Sequence, residues 1–91
     1  MLNLLFTNQY KKDQKKCRKR NKDFQKLKEV LEYLVDEKKL PVKYRDHKLS
    51  GNYKDHNECH IEPDWLLIYK VDQIHKDLIL VRTGTHSDLF E

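Results

Sequence analysis

Nineteen residues in the middle of the chain, Asp46–Asp64, are rich in groups that can transfer protons. Three of the five histidines lie here, at positions 47, 56 and 60, together with Glu58 and Asp64. The segment has few apolar residues of its own, whereas the sequence before it is typical of helix core and the sequence after it of strand core. We therefore expect the rest of the chain to hold this segment, with a second cluster at Arg82–His86, around a phosphodiester.

Cleavage of RNA without a metal needs three kinds of group. A base takes the proton of the 2′-hydroxyl, an acid protonates the departing 5′-oxygen, and a cation stabilises the charge on phosphorus. Histidine suits both proton transfers near neutral pH. The candidates of these types are His47, His60, Asp64, Arg82 and His86.

Two aromatic residues stand beside these candidates. Trp65 follows Asp64 directly, and Phe90 comes four residues after His86. Aromatic side chains grip single-stranded RNA by stacking on unpaired bases, so both are candidate RNA contacts. The alternative for each is ordinary packing in the core.

A zinc site is the competing interpretation of the middle segment. His56-x-x-Cys59-His60 offers three ligands, and His47 could supply a fourth. However, alternation along a strand at 57–61 places Cys59 and Ile61 on the core side and His60 with Glu58 on the other. No second Cys-x-x-Cys or paired-histidine motif completes the set. We therefore expect no metal and no cofactor, and two reduced, buried cysteines.

Size and composition restrict the class of protein. A chain of 91 residues is expected to form a single domain spanning 1–91. Hydrophobic and charged residues each make up 37% of the sequence, but the apolar runs Leu66–Ile68 and Leu78–Val81 indicate an ordered second half. The sequence has neither a signal-peptide pattern nor an apolar run long enough for a membrane span, which favours a cytoplasmic protein without membrane contact.

The charge is distributed unevenly along the chain. Lys11–Lys28 contains ten lysines and arginines against two aspartates, and the remaining sequence is net acidic. A basic segment of this kind favours a polyanionic partner, although a solvated helix face is the simpler alternative. The candidate contacts to nucleic acid on this segment are Lys11, Lys15, Arg18 and Lys19.

The apolar spacing predicts an α+β domain, in which an N-terminal strand and two helices precede an antiparallel sheet that the helices cover on one face. Thr7 or Asn8 is expected to cap the first helix and Asn21 the second. The predicted elements are a strand at Leu2–Phe6, helices at Gln9–Arg20 and from Asn21 to about Glu37, and strands at Asn57–Ile61, Trp65–Val71 and Asp77–Thr83.

Three motifs together resemble the YafQ-like branch of the RelE toxin superfamily. They are Asp46-His47-x-Leu49-x-Gly51, the run Cys59–Tyr69 and the run Val81–Phe90. The resemblance covers the chain in length and order. It implies a RelE-like fold and the toxin half of a type II toxin–antitoxin pair. Such toxins are endoribonucleases that cut messenger RNA in the ribosomal A site and are held inactive in a complex with a cognate antitoxin.

The resemblance also implies roles for individual residues. Of these, we assign His86 as the general acid, Asp64 or His60 as the general base, and Arg82 as the phosphate contact. The basic helices then have ribosomal RNA or an acidic antitoxin segment as candidate partners. The residues implied by motif position are His47, His60, Asp64, Trp65, Arg82, His86 and Phe90.

One departure from the family pattern concerns His56 and Asn57, which stand where relatives commonly carry an aromatic residue followed by arginine. A cation that would contact nucleic acid is therefore missing. The alternative function is a non-catalytic module that binds RNA or an antitoxin without cutting.

Overall fold

The computed structural model describes residues 1–90, and the predicted α+β order is confirmed. Single 3-10 turns occur at Val42–Tyr44 and Gly51–Tyr53. Within residues 1–90, no helix combines the length and the apolar character needed to cross a membrane. The elements in chain order are β1 Asn3–Phe6, α1 Asn8–Lys19, α2 Phe24–Val35, β2 His47–Lys48, β3 Asn57–Glu62, β4 Trp65–Asp72, β5 Asp77–Gly84 and α3 His86–Phe90.

The strands form one mixed sheet in the order β1-β5-β4-β3-β2. The pairs β2–β3, β3–β4 and β4–β5 are antiparallel, as the tight turns between them predict. In contrast, β1 pairs with β5 in parallel, with Leu4 opposite Leu78. Parallel neighbours need a long crossover connection, which here is most of the chain, and no local pattern in the sequence signals such a distant pairing.

Helix α1 begins at the predicted cap and packs along β5. The Thr7 hydroxyl accepts a hydrogen bond of 2.9 Å from the backbone N–H of Tyr10. Tyr10 and Cys17, the two apolar residues spaced seven apart, are buried as expected, and Asp13 between them is buried as well. The thin apolar stripe is therefore enough to dock this helix, with one carboxylate included in its buried face.

Helix α2 begins two residues later than predicted. The side chain of Asp23, and not that of Asn21, accepts the capping bond from Gln25 at 3.0 Å. Asn21 lies in the link with a φ of 58°, a left-handed conformation that asparagine tolerates. The buried positions of α2 follow the predicted period and pack towards β3; they are Leu27, Val30 and Leu34.

Strand β4 is the centre of the core because both of its faces are covered. Trp65 and Leu67 belong to the main cluster beneath the helices. Leu66 and Ile68 form a second, smaller cluster with Leu89 of α3. The long helices were expected to cover one face of the sheet and to leave the other open. The second cluster covers the middle of that other face, where α3 and residues 49–53 pack on the sheet.

Strand β2 was not predicted. Its two residues are polar and show no hydrophobic pattern, so the sequence predicted a connecting loop from Pro41 to Gly51. Pairing places His47 opposite Glu58 of β3. Asp46, just before the strand, accepts a hydrogen bond from the Tyr69 hydroxyl on β4, which anchors the entry to β2.

Candidate active site

Three of the predicted histidines form a row across one side of the sheet. His47 comes from β2, His60 from β3, and His86 is the first residue of α3. The ring centroids of His47 and His60 are 6.2 Å apart, and those of His60 and His86 are 5.7 Å apart. The structure thus brings together residues separated by up to 39 positions in the sequence.

Asp64 is hydrogen bonded to His86, at one end of this row. Its Oδ1 lies 2.6 Å from Nδ1 of His86 and accepts a second hydrogen bond, of 2.9 Å, from the His86 backbone N–H. These two bonds lower the pKa of Asp64 below its ordinary value. Because Nδ1 is occupied, the opposite ring nitrogen, Nε2, is the atom of His86 left for a substrate.

The C-terminal helix that carries His86 is tied to α1 through Asp88. The Asp88 carboxylate accepts bonds of 2.6 Å from Arg20 and 3.0 Å from Lys16, and a third of 3.0 Å from the backbone of Thr85. Arg20 contributes most to holding the pKa of Asp88 well below its usual range. Asp88 folds back so closely that a Cβ on Gly84 would lie 2.8 Å from its Oδ2.

Glu58 lies between the other two histidines. Its Oε1 is 3.4 Å from Nε2 of His47 and 3.6 Å from Nε2 of His60. The residue is only 4% exposed, and its Oε2 has no hydrogen-bond partner among residues 1–90. Burial of a carboxylate without full hydrogen bonding is costly, and the two imidazoles are the ring groups that lie beside Glu58.

The remaining ring nitrogens of these two histidines also meet acceptors. Nδ1 of His47 lies 2.7 Å from the carbonyl oxygen of Arg45, and Nδ1 of His60 lies 3.3 Å from that of Pro63. Each of the two rings therefore has a carbonyl oxygen near Nδ1 and the Glu58 carboxylate on the side of Nε2. Sequence alternation placed Glu58 on this face but assigned it no function; its role depends on the unpredicted β2 pairing.

Arg82 lies level with Glu58 across the sheet. Ile68 of β4 is paired with Arg82 of β5 on one side and with Glu58 of β3 on the other. Two strand spacings separate Arg82 from Glu58, about 10 Å. The guanidinium makes two bonds to Asp13 of α1, 3.0 Å from Nε and 3.1 Å from Nη2. Sequence analysis did not assign Asp13 a role, since the partner lies 69 residues away.

A second neighbour completes the surroundings of Arg82. Hydrogen bonding to Asp13 contributes most to raising the pKa of Arg82, and the nearby Tyr53 side chain adds to it. The guanidinium therefore extends from α1 to the Gly51–Tyr53 turn. Its side chain remains 24% exposed, so part of it is accessible to a ligand.

Trp65 does not lie where the sequence interpretation placed it. The indole is completely buried beneath the helices, and its Nε1 donates a 3.0 Å bond to the Thr83 hydroxyl. It offers no face to an RNA base, so the expected stacking role is corrected to core packing. Phe90, in contrast, is 48% exposed and packs edge-on against Tyr53 at 6.1 Å.

Some of the basic side chains of α1 contact other residues of the protein, and others are exposed to solvent. Lys16 and Arg20 are engaged by Asp88, and the guanidinium of Arg18 lies 4.4 Å from the ring of Phe24. The four predicted nucleic-acid contacts have exposed side chains; they are Lys11, Lys15, Arg18 and Lys19.

The structure separates the members of the histidine–cysteine motif. Cys59 is fully buried on the helix-covered face, whereas His60 points to the other face. The Nδ1 of His56 lies 2.9 Å from the carbonyl of Lys54. Across residues 1–90, no three histidines, cysteines or carboxylates are placed to hold a metal ion together.

Fold and site together define a small α+β protein whose sheet carries an exposed set of acid–base groups. A family described as "Bacterial toxin of type II toxin-antitoxin system, YafQ" matches residues 2–91. The mRNA interferase toxin YafQ of Escherichia coli strain K12 is 45% identical over 86 residues, which cover 93% of this chain and 91% of that protein. The chain therefore belongs to the YafQ toxin family, and the resemblance seen in the motifs is confirmed.

Solved structures agree with this assignment. A metal-bound toxin from Helicobacter pylori is 41% identical and superposes with a TM-score of 0.93, over 99% of this chain and 100% of the other. The toxin in the E. coli DinJ–YafQ toxin–antitoxin complex is 43% identical with a TM-score of 0.89, over 99% and 98% of the two chains. The RelE-like fold expected from the motifs is thus confirmed.

Proposed function

We propose that this chain is an endoribonuclease that cuts messenger RNA by metal-independent acid–base catalysis. The observation that carries the proposal is the histidine row, with Asp64 bonded to His86 at one end and Glu58 between the other two histidines. The E. coli relative named an mRNA interferase supports the choice of substrate. In this reaction the 2′-oxygen bonds to phosphorus, the bond to the 5′-oxygen breaks, and the products are a 2′,3′-cyclic phosphate and a 5′-hydroxyl.

His86 is the general acid of the proposed mechanism. Its Nδ1 is held by Asp64, so Nε2 carries the proton that goes to the 5′-oxygen. Asp64 stabilises the charged ring before the transfer and fixes its orientation through a second bond to the backbone. The lowered pKa of Asp64 keeps that carboxylate ionised and therefore suited to this task.

The general base was open between Asp64 and His60, and the geometry favours His60. Oδ1 of Asp64 already accepts two hydrogen bonds from His86. Nε2 of His60 is 3.6 Å from Glu58, outside ordinary hydrogen-bond distance, which leaves its lone pair for the 2′-hydroxyl. Once protonated, the ring is stabilised by Glu58, and His47 balances the same carboxylate from the other side.

Arg82 stabilises the negative charge that develops on the phosphate. Asp13 takes two of its donors and thereby fixes the plane of the guanidinium, while the remaining donors are available for phosphate oxygens. Asp13 is thus a positioning residue in this proposal, and Arg82 is the group that touches the substrate.

The exposed cations of α1 supply the contact to the ribosome. Ribosomal RNA is a dense polyanion, and lysines and arginines release its counterions on binding, which makes the affinity strongly dependent on salt. Action on translated message places the protein in the cytoplasm. A cognate antitoxin is its inhibitor, by analogy with the DinJ–YafQ complex.

The experiment compares His86→Ala with His75→Ala in a purified translation reaction, with cut sites mapped at nucleotide resolution. His75 is an exposed histidine paired with Asp72 in the β4–β5 turn, at the end of β5 opposite to His86, so it controls for loss of a histidine–aspartate pair. We expect His86→Ala to lower the cleavage rate by about 100- to 10,000-fold, the usual contribution of a general acid, and His75→Ala to have no effect. Cleavage by His86→Ala at the wild-type rate would contradict the assignment.

Absence of cleavage by the wild-type protein, with ribosome binding retained, would instead support the non-catalytic alternative. Growth arrest on expression distinguishes the two further, because an enzyme loses it with His86→Ala and a simple binder does not.

A further inference from the structure

A cavity of about 520 Å³ lies between the Gly51–Tyr53 turn and the end of α3. Its volume falls in the range of pockets that hold small organic ligands. Five residues line it: Ser50, Asn52, Tyr53, Leu89 and Phe90. None of the three histidines of the row lines this cavity, and it has no function in the mechanism above.

The inner walls of the cavity are aromatic and apolar. The rings of Tyr53 and Phe90 meet edge to face, with centroids 6.1 Å apart and an angle of 84°. Leu89 closes the floor, where it packs with Leu66 and Ile68 of β4. An exposed aromatic ring above an apolar floor is suited to a flat, aromatic ligand such as a nucleobase.

The outer rim is polar and rigidly shaped. Asn52 and Ser50 are exposed, and within residues 1–90 neither side chain makes a hydrogen bond. Gly51 between them has a φ of +67°, which favours glycine, and backbone bonds from Tyr53 to Ser50 and from Lys54 to Gly51 close the turn. The Asn52 amide can donate and accept together, as hydrogen bonding to the edge of a base requires.

Both walls of the cavity are connected to the proposed catalytic groups. Phe90 follows His86 by one helical turn, so the two side chains lie on the same face of α3. The Tyr53 side chain is also close enough to Arg82 to help raise the pKa of the guanidinium. One wall of the cavity therefore belongs to the helix that carries His86, and the other belongs to the turn whose Tyr53 approaches Arg82.

We propose that this cavity is a nucleobase subsite. It holds the base of a nucleotide next to the scissile phosphate, with Phe90 and Tyr53 against the base face and with Asn52 and Ser50 bonded to its edge. The side chain at position 52 thereby determines which bases are preferred beside the cut. This inference rests on the ribonuclease function proposed above.

The test maps 5′-hydroxyl ends across a pool of translated messages for the wild type, Asn52→Ala, Asn52→Asp and the control Asn3→Ala. Asn3 is an exposed asparagine on β1, at the opposite edge of the sheet from β2. We expect both Asn52 variants to change the relative preference among bases next to the cut by about tenfold, the size of one well-made base contact. Asn3→Ala should keep the wild-type profile.

A second variant separates stacking from recognition of the base edge. Phe90→Leu keeps an apolar side chain but removes the ring, and we expect it to slow cleavage at all sites without changing their ranking. Unchanged preferences in both Asn52 variants, with cleavage intact, would overturn the subsite and leave the ribonuclease function standing. No cleavage by the wild type would overturn both.

Discussion

The two carboxylates of the site differ in almost every physical respect. Asp64 has a side chain that is 63% exposed and holds a single histidine by a bond of 2.6 Å. Glu58 has a side chain that is 6% exposed and lies 3.4 and 3.6 Å from two histidines, with one oxygen lacking a partner in the described chain. The exposed carboxylate makes short, directed bonds, whereas the buried one makes longer contacts to two rings.

This difference indicates what each carboxylate contributes. Water screens the charge of Asp64, so its main contribution is the orientation of the His86 ring. Glu58 has lost most of its water, and its charge therefore acts more strongly on nearby imidazoles. We infer that Asp64 sets the geometry of His86 at the proposed acid end of the row, and that Glu58 supplies negative charge beside His60 at the proposed base end.

Among the carboxylates, the largest effect is expected for Glu58→Gln, which keeps the shape of the side chain and removes its charge. Protonated His60 then loses its counter-charge, so the cleavage rate should fall by about 100-fold or more. Single-turnover cleavage measures the loss, and thermal unfolding shows whether the fold is retained. The control is Glu29→Gln, an exposed glutamate of α2, which should behave as wild type. Full activity of Glu58→Gln would remove the distinction between the two carboxylates.

A smaller loss is expected for Asp64→Asn, because the amide can still accept from His86 but without charge. We expect cleavage to slow by about 10- to 100-fold, as when a charge-assisted hydrogen bond becomes a neutral one. Asp72→Asn is the matched control, since Asp72 makes the same kind of contact to His75, at 2.8 Å. If the Asp64 variant lost more activity than Glu58→Gln, the roles inferred for the two carboxylates would have to be exchanged.

The smallest effect concerns Asp88, which holds the acid end from a distance. Its lowered pKa means that its stabilisation is fully present above the ordinary carboxyl range, about pH 4, and is lost as the pH falls through the lowered value. Asp88→Asn should therefore reduce the free energy of unfolding by about 1 kcal/mol at neutral pH, since its partners are largely exposed, and by less at more acidic pH.

Chemical denaturation between pH 2 and 7 checks this expectation, with Asp36→Asn as the control at an exposed position. Cleavage should fall only a few-fold, since α3 also remains anchored by Leu89. A stability difference that grew on acidification would contradict the assigned contacts of Asp88.

Much of the acid end could be predicted from the sequence. Asp64 lies in a turn after a strand with clear alternation, and His86 follows the end of the last strand, so a sheet in the predicted order brings them together. The burial of Cys59 and the outward position of His60 also follow from alternation alone. These features depend on local periodicity, which a single sequence shows directly.

The positions of Glu58 with its two histidines and of Arg82 could not be predicted, because they depend on contacts between residues far apart in the sequence. Nothing local shows that His47 lies opposite Glu58, because β2 has only two polar residues. Asp13 likewise lay within a lysine-rich helix, and its partner Arg82 is reached only after the helix docks on β5. Trp65 was misassigned because it follows the candidate acid, although β4 is covered on both faces and exposes no ring there.

The most direct test of the division between acid and base uses a message in which sulfur replaces the 5′-oxygen at the cut site. A thiolate leaves without protonation, so this substrate does not need a general acid. We expect the sulfur substrate to restore cleavage by His86→Ala to near the wild-type rate and to leave Glu58→Gln slow. Rescue of Glu58→Gln but not of His86→Ala would contradict this expectation.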